Sequence, residues 1–141
     1  MTMPIFELHP RLAADTIEIG QLSLCRILLM NDANYPWLIL VPQRPGLREI
    51  YELKHEDQIQ LIHESSHIAH LMAVHFKADK MNIAALGNLV PQLHIHHIAR
   101  YTHDPAWPAP VFGTHPAKAY PDATHRQRRQ EFQELLNLPV T

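Results

Sequence analysis

The segment Gln92-Leu93-His94-Ile95-His96-His97-Ile98 sets polar, titratable residues at alternate positions. Side chains on a strand alternate between faces, so Gln92, His94 and His96 share one face and Leu93, Ile95 and His97 the other. Two imidazoles and an amide then project side by side, roughly 7 Å apart along the strand. Neutral imidazole attacks phosphorus and forms a phosphohistidine. A protonated neighbour stabilises phosphate charge or gives a proton to the leaving group. Spacing alone leaves two other readings open: ordinary sheet histidines, or a metal-holding pair. The chain has 12 histidines in 141 residues, so position and not number carries the argument.

One other cluster competes. His63-Glu64-Ser65-Ser66-His67 matches the helical zinc pattern H-E-x-x-H, with His63 and His67 one turn apart and Glu64 as base. His70 extends the same stripe. In so histidine-rich a chain a chance match is unremarkable, and half-exposed histidines commonly border an apolar helix face.

The elements that must hold these groups are readable from pattern. Thr16 to Ile19 and Leu22 to Met30 predict a hairpin turning at Gly20-Gln21. Trp37 to Val41 predicts a strand buried on both faces and ended by Pro42. Lys54 to Ala78 predicts a long helix whose apolar stripe is Ile59, Ile62, Ser66, Ala69, Ala73 and Phe76, broadened by Leu61, Ile68 and Met72. Glu56 and Asp57 suit its first turn, although Lys54 and His55 make a poor cap. Met81 to Leu86 and Gln92 to Ala99 predict two further strands. The proline-rich stretch Asp104 to Pro121 predicts an extended, wrapped segment. Thr124, with Gln127 in capping-box spacing, predicts a final helix to about Asn137.

Composition bounds the answer. Hydrophobic residues make up 46% and charged residues 18%, which suits one folded domain over 1–141. The apolar runs are too short to span a bilayer, and no signal peptide is evident at the N-terminus. The single cysteine, Cys25, fits a reducing compartment, hence a cytoplasmic expectation. A formal charge of -2 argues against general nucleic-acid binding; the run His125-Arg126-Gln127-Arg128-Arg129 reads as a solvated helix face.

The segment 92–98 resembles the signature of the histidine triad (HIT) superfamily, His-φ-His-φ-His-φ-φ with φ apolar. Leu28-Leu29-Met30-Asn31 followed by Trp37 to Pro42 is similar to the family's strand, nucleotide-contacting turn and strand ending in proline. Trp107-Pro108 is similar to the Trp-Pro of its phosphoramidase branch. The resemblance covers roughly residues 5 to 112, leaving the rest of the proline-rich segment and the C-terminal helix, 113–141, outside it. It departs twice: Gln92 stands at the first histidine, and polar His97 at an apolar position. The resemblance implies an α+β HIT-like fold, with an antiparallel sheet of about five strands, one long helix and a C-terminal helix. It implies a homodimer, which the apolar positions of so small a domain also favour. It implies hydrolysis or transfer at the α-phosphate of a nucleoside phosphate ester, phosphoramidate or dinucleoside polyphosphate. His94 would be the nucleophile, His96 would contact phosphate and leaving group, and Gln92 would support them. Asn31, or Asp32 one residue on, would bind ribose, Asn88 phosphate, and Trp107 would also serve the nucleotide. A phosphohistidine route implies neither metal nor cofactor. A nucleotide-binding protein without turnover is the alternative that Gln92 favours.

Overall fold

The computed structural model describes residues 4–141. The order is α1 (Pro10–Asp15), β1 (Thr16–Gln21), β2 (Cys25–Met30), β3 (Trp37–Pro42), α2 (His55–His75), β4 (Lys80–Ala84), β5 (Ile95–Arg100) and α3 (Asp122–Leu135), with a 3-10 turn at Ile50–Glu52. The five strands make one antiparallel sheet in the order β1-β2-β3-β5-β4. The architecture is the expected α+β one, a five-stranded antiparallel sheet with one long helix and a C-terminal helix, and the short α1 is added.

Alternation decides what each face carries. Ile27, Leu29, Leu38, Leu40 and Ile95 form a core with Leu61, Ile68 and Met72 of α2 and Phe132 of α3. Leu28, Trp37, Ile39, Val41 and Ile98 form a second core with Leu12 of α1, Val90, Ala106 and Val111. All six residues of β3 are therefore buried, as its unbroken apolar run requires.

Four expectations shift. The hairpin turns at Leu22–Leu24, and Gly20 lies within β1. A Cβ on Gly20 would come within 2.9 Å of the Leu138 side chain, so this glycine serves a close crossing and not a turn. Strand β5 starts at Ile95, because its last pair with β3 is Leu40↔Ile95 and the chain leaves the sheet beyond Pro42. Helix α3 begins at Asp122, with Pro121 at its cap and no capping bond from Thr124. In α2 the buried residues are Leu61, Glu64, Ser65, Ile68 and Met72, whereas Ile59 and Ile62 face outward. The predicted stripe thus begins on a second, outward face at Ile59 and Ile62 and reaches the core only at Phe76, which packs on Phe132.

The zinc pattern comes apart on the same helix. His63, His67 and His70 are exposed, while Glu64 points inward and accepts bonds from the backbone N–H groups of Leu24 (2.8 Å) and Cys25 (2.9 Å). Its carboxylate ties α2 to the β1–β2 turn and is not free to serve a metal held by the outer histidines. Among the described residues, no group of three or more His, Cys, Asp or Glu is placed to hold a metal.

Candidate active site

His96 lies on β5 opposite Ile39 of β3, so its ring joins the face of the second core. His94 precedes the strand by one residue but keeps the same side; the two ring centroids are 5.0 Å apart. Both rings are buried down to a small exposed fraction, 7% each, which opens into a cleft of about 410 Å³. That volume suits a small-molecule ligand.

Hydrogen bonding sets the two imidazoles in opposite tautomers. His94 Nδ1 lies 2.7 Å from the main-chain oxygen of Gln92. A carbonyl only accepts, so Nδ1 carries the proton and Nε2 keeps a free lone pair. At His96 the roles reverse. The Trp37 indole N–H donates to His96 Nδ1 at 3.1 Å, which leaves the proton of the neutral ring on Nε2. Burial, then the neighbouring His94 and His97, pushes the His96 pKa down to about 3. With Nδ1 engaged and its pKa lowered, His96 is a neutral hydrogen-bond donor. The rings of Trp37 and Phe112 pack on it edge-on, with centroids 5.6 and 4.9 Å away. His97 points to the opposite face, fully buried, with Nδ1 donating to the Ile95 oxygen and Nε2 accepting from Ser65 Oγ at 2.7 Å.

Around the histidine pair the cleft is walled by Arg11, Leu12, Asp15 and Thr16 from α1 and its junction with β1. Met30, Ile39 and Phe112 give it an apolar side, and the loop Leu86–Val90 gives it a rim. Gly87 turns that rim with φ of 72°, a left-handed conformation that suits glycine. Asn88 is exposed on the rim and lines the cleft.

The other expected residues lie elsewhere. The Gln92 amide does not turn to His94: its oxygen accepts from the His9 N–H and its nitrogen donates to the Glu7 oxygen, both at 2.8 Å. What Gln92 gives the nucleophile is its main-chain carbonyl. Asn31 and Asp32 face the proline-rich segment, accepting from the N–H groups of Tyr120 and Lys118 at 2.9 and 3.3 Å. They hold the segment that delivers Phe112 and do not line the cleft. Trp107 covers the buried Arg100 guanidinium, which pairs with Asp104 at 2.8 Å. Sequence reading missed Arg11, Phe112 and the role of Trp37. The first two reach the cleft from distant segments, but a tryptophan two residues from Ile39 on a buried strand was a usable signal.

The chain resembles known proteins in sequence and fold. The HIT domain family model matches residues 11–103. A histidine triad protein of Marinobacter aquaeolei is 52% identical, with a TM-score of 0.92 over 95% of this chain and 98% of that one. A histidine triad protein of Bradyrhizobium japonicum is 48% identical, with a TM-score of 0.88 over 98% of this chain and 100% of that one. One of Sinorhizobium meliloti is 46% identical, with a TM-score of 0.88 over 92% and 96%. No curated protein matches the chain with significance. The matched span holds α1 from Arg11 on, the whole sheet, the imidazole pair and the rim loop, so the chain belongs to the HIT family.

Proposed function

We propose that the cleft binds a nucleoside phosphate and that His94 Nε2 attacks its α-phosphorus. The observation that carries this reading is the bond from His94 Nδ1 to the Gln92 carbonyl, which in the neutral ring puts the lone pair on Nε2, in the cleft. The P–N bond forms as the bond to the leaving group breaks, and the leaving group departs with the electron pair and takes a proton from solvent. Water then attacks the phosphohistidine and releases a nucleoside monophosphate. His96 Nε2–H donates a hydrogen bond to a phosphoryl oxygen whose charge grows during attack. The apolar side formed by Met30, Ile39 and Phe112 suits a base, and the histidine pair suits the α-phosphate. The nucleotide-binding role without turnover loses its main support, because Gln92 supplies its carbonyl as any residue would.

The test is a panel of adenosine phosphoramidate, dinucleoside polyphosphates and nucleotide sugars. The expected result is release of a nucleoside monophosphate and an intact-mass adduct of one nucleotidyl group on the wild type. His94→Ala should lose the adduct and lower turnover on the order of a thousandfold or more, since it removes the nucleophile. Wild-type turnover in His94→Ala would reject the assignment.

We further propose a cytoplasmic homodimer. Cys25 is buried, and burial with the Glu64 carboxylate alongside pushes its thiol far up, which suits a packing residue in a reducing compartment. The dimer rests on the uncovered face of α2 and the free edge of β4.

A further inference from the structure

Helix α1 supplies one wall of the cleft, yet it has six residues, too few to hold a helix in water unaided. Only Leu12 of α1 is buried. Its C-terminal end runs directly into β1 and is fixed by the sheet. Its N-terminal end is fixed by a residue 83 positions away in sequence. The Gln92 amide accepts from His9 N–H and donates to Glu7 O, adding one rung to the backbone around Leu8. His9 then caps α1, its Nδ1 accepting from Arg11 N–H at 3.1 Å. An amide presents its donor and acceptor from one carbon, as a peptide does. A neutral imidazole has them on opposite sides of a ring and cannot make both bonds to this backbone.

Resting on the nucleotide reading above, we propose that Gln92 is a positioning residue that sets nucleotide affinity through α1. By clamping Glu7–His9 it holds the cleft face of α1, with Arg11 and Asp15, against the substrate. The residue at the first triad position thus acts on binding and not on the nucleophile. Restoring histidine there breaks the clamp.

The experiment uses the full chain with Gln92→His and Gln92→Ala. It reads AMP affinity by calorimetry, KM and kcat on the best substrate, and amide hydrogen exchange of residues 9–15. Both variants should weaken AMP binding and raise KM about tenfold, the loss of about two hydrogen bonds' worth of ordering, with kcat within about twofold. Exchange at His9 and along α1 should quicken. His9→Pro gives a second route, because φ at His9 is −55° and suits proline while the N–H is removed. Compared with His9→Ala, which loses the same cap, His9→Pro should show the same rise in KM, and adding Gln92→Ala should cost little more. A rise in kcat for Gln92→His at unchanged KM overturns the proposal in favour of a side chain acting on His94. Unchanged exchange, or quickened exchange with unchanged AMP affinity, also overturns it. If wild-type protein binds no AMP although exchange responds to Gln92→Ala, the clamp stands as structure, and the nucleotide reading falls together with the affinity role.

Discussion

His94 and His96 are chemically the same residue two positions apart, and their partners make them different. One faces a carbonyl and keeps Nε2 bare; the other faces an indole N–H and presents Nε2–H. With its pKa pushed down to about 3, His96 does not titrate in the neutral range. The acid limb of the kcat/KM profile above pH 5 therefore belongs to other groups, and His96→Ala should lower the rate without moving that limb. A shifted limb would show that His96 changes charge during catalysis. A neutral donor also cannot supply a leaving-group proton without becoming an imidazolate. We expect His96→Ala to slow good and poor leaving groups by the same factor, on the order of a hundredfold, as loss of one transition-state donor does. A loss confined to poor leaving groups would restore the general-acid role. Trp37→Phe keeps the ring packing but frees His96 Nδ1, so it should lower kcat with little change in KM. The alternation that pairs the histidines was readable from seven residues. The tautomers were not, because the group that sets His96 lies 59 positions away.

Strand β5 sits between two cores, and each face carries its histidine differently. His97 is wholly enclosed under α2, paired with Ser65, and burial pushes its pKa down to about 4. The unfolded imidazole takes up a proton near 6.5, while the folded one resists until about 4. The unfolded state binds more protons in between, so stability is complete above about 6.5 and declines as pH falls through that window. The slope is at most about 1.4 kcal/mol per pH unit for each such histidine. Urea midpoints measured from pH 7 to pH 4 should show the decline. The pair Ser65→Ala with His97→Leu should flatten it by removing one titrating group and its partner together. His97→Leu alone should cost about 1–3 kcal/mol at pH 7, because Ser65 Oγ is then buried without a partner. An undiminished slope in the double variant would assign the decline to other groups. Sequence showed His97 on the apolar side of the strand but could not show what meets it. The period of α2 has the same ambiguity. Leu61, Ser65, Ile68 and Met72 face the sheet, Glu64 lies beside them, and Ile59, Ile62, Ser66, Ala69 and Ala73 recur on another side. Two apolar faces with one period cannot be ranked without knowing which way the helix rolls on its sheet.

The fold order, the twice-buried β3 and the histidine pair were all present in local pattern, whereas the cleft was not. Its walls come from residues 11–16, 30, 39, 86–90 and 112, which only topology brings together. Asn31 and Asp32 illustrate the difference. Their turn chemistry was recognisable, but the turn's partner is the proline-rich segment 116–120, more than 80 residues on. The apolar stripe of α2 was likewise visible and its partner was not. Ile59 and Ile62 stand 45% and 59% exposed, and Ser66, Ala69 and Ala73 continue the line at three- and four-residue steps. That is the seam by which two helices pack, with small residues at its middle letting the backbones approach. Among the described residues strand β4 pairs only with β5, so its outer edge offers unpaired backbone groups, and Ile83 beside that edge is 50% exposed. A second copy placed by a two-fold axis would cover both features at once, since such an interface uses the same patch twice. Ile62→Glu sets two like charges against each other across that axis. The wild type should sediment as a dimer at micromolar concentration, and Ile62→Glu as a monomer with unchanged circular dichroism, because residue 62 takes no part in the chain's own core. Nucleotide binding should survive in the monomer, as none of the residues lining the cleft lies on α2 or β4. A monomeric wild type, or a dimer untouched by Ile62→Glu, would remove this face from the assembly.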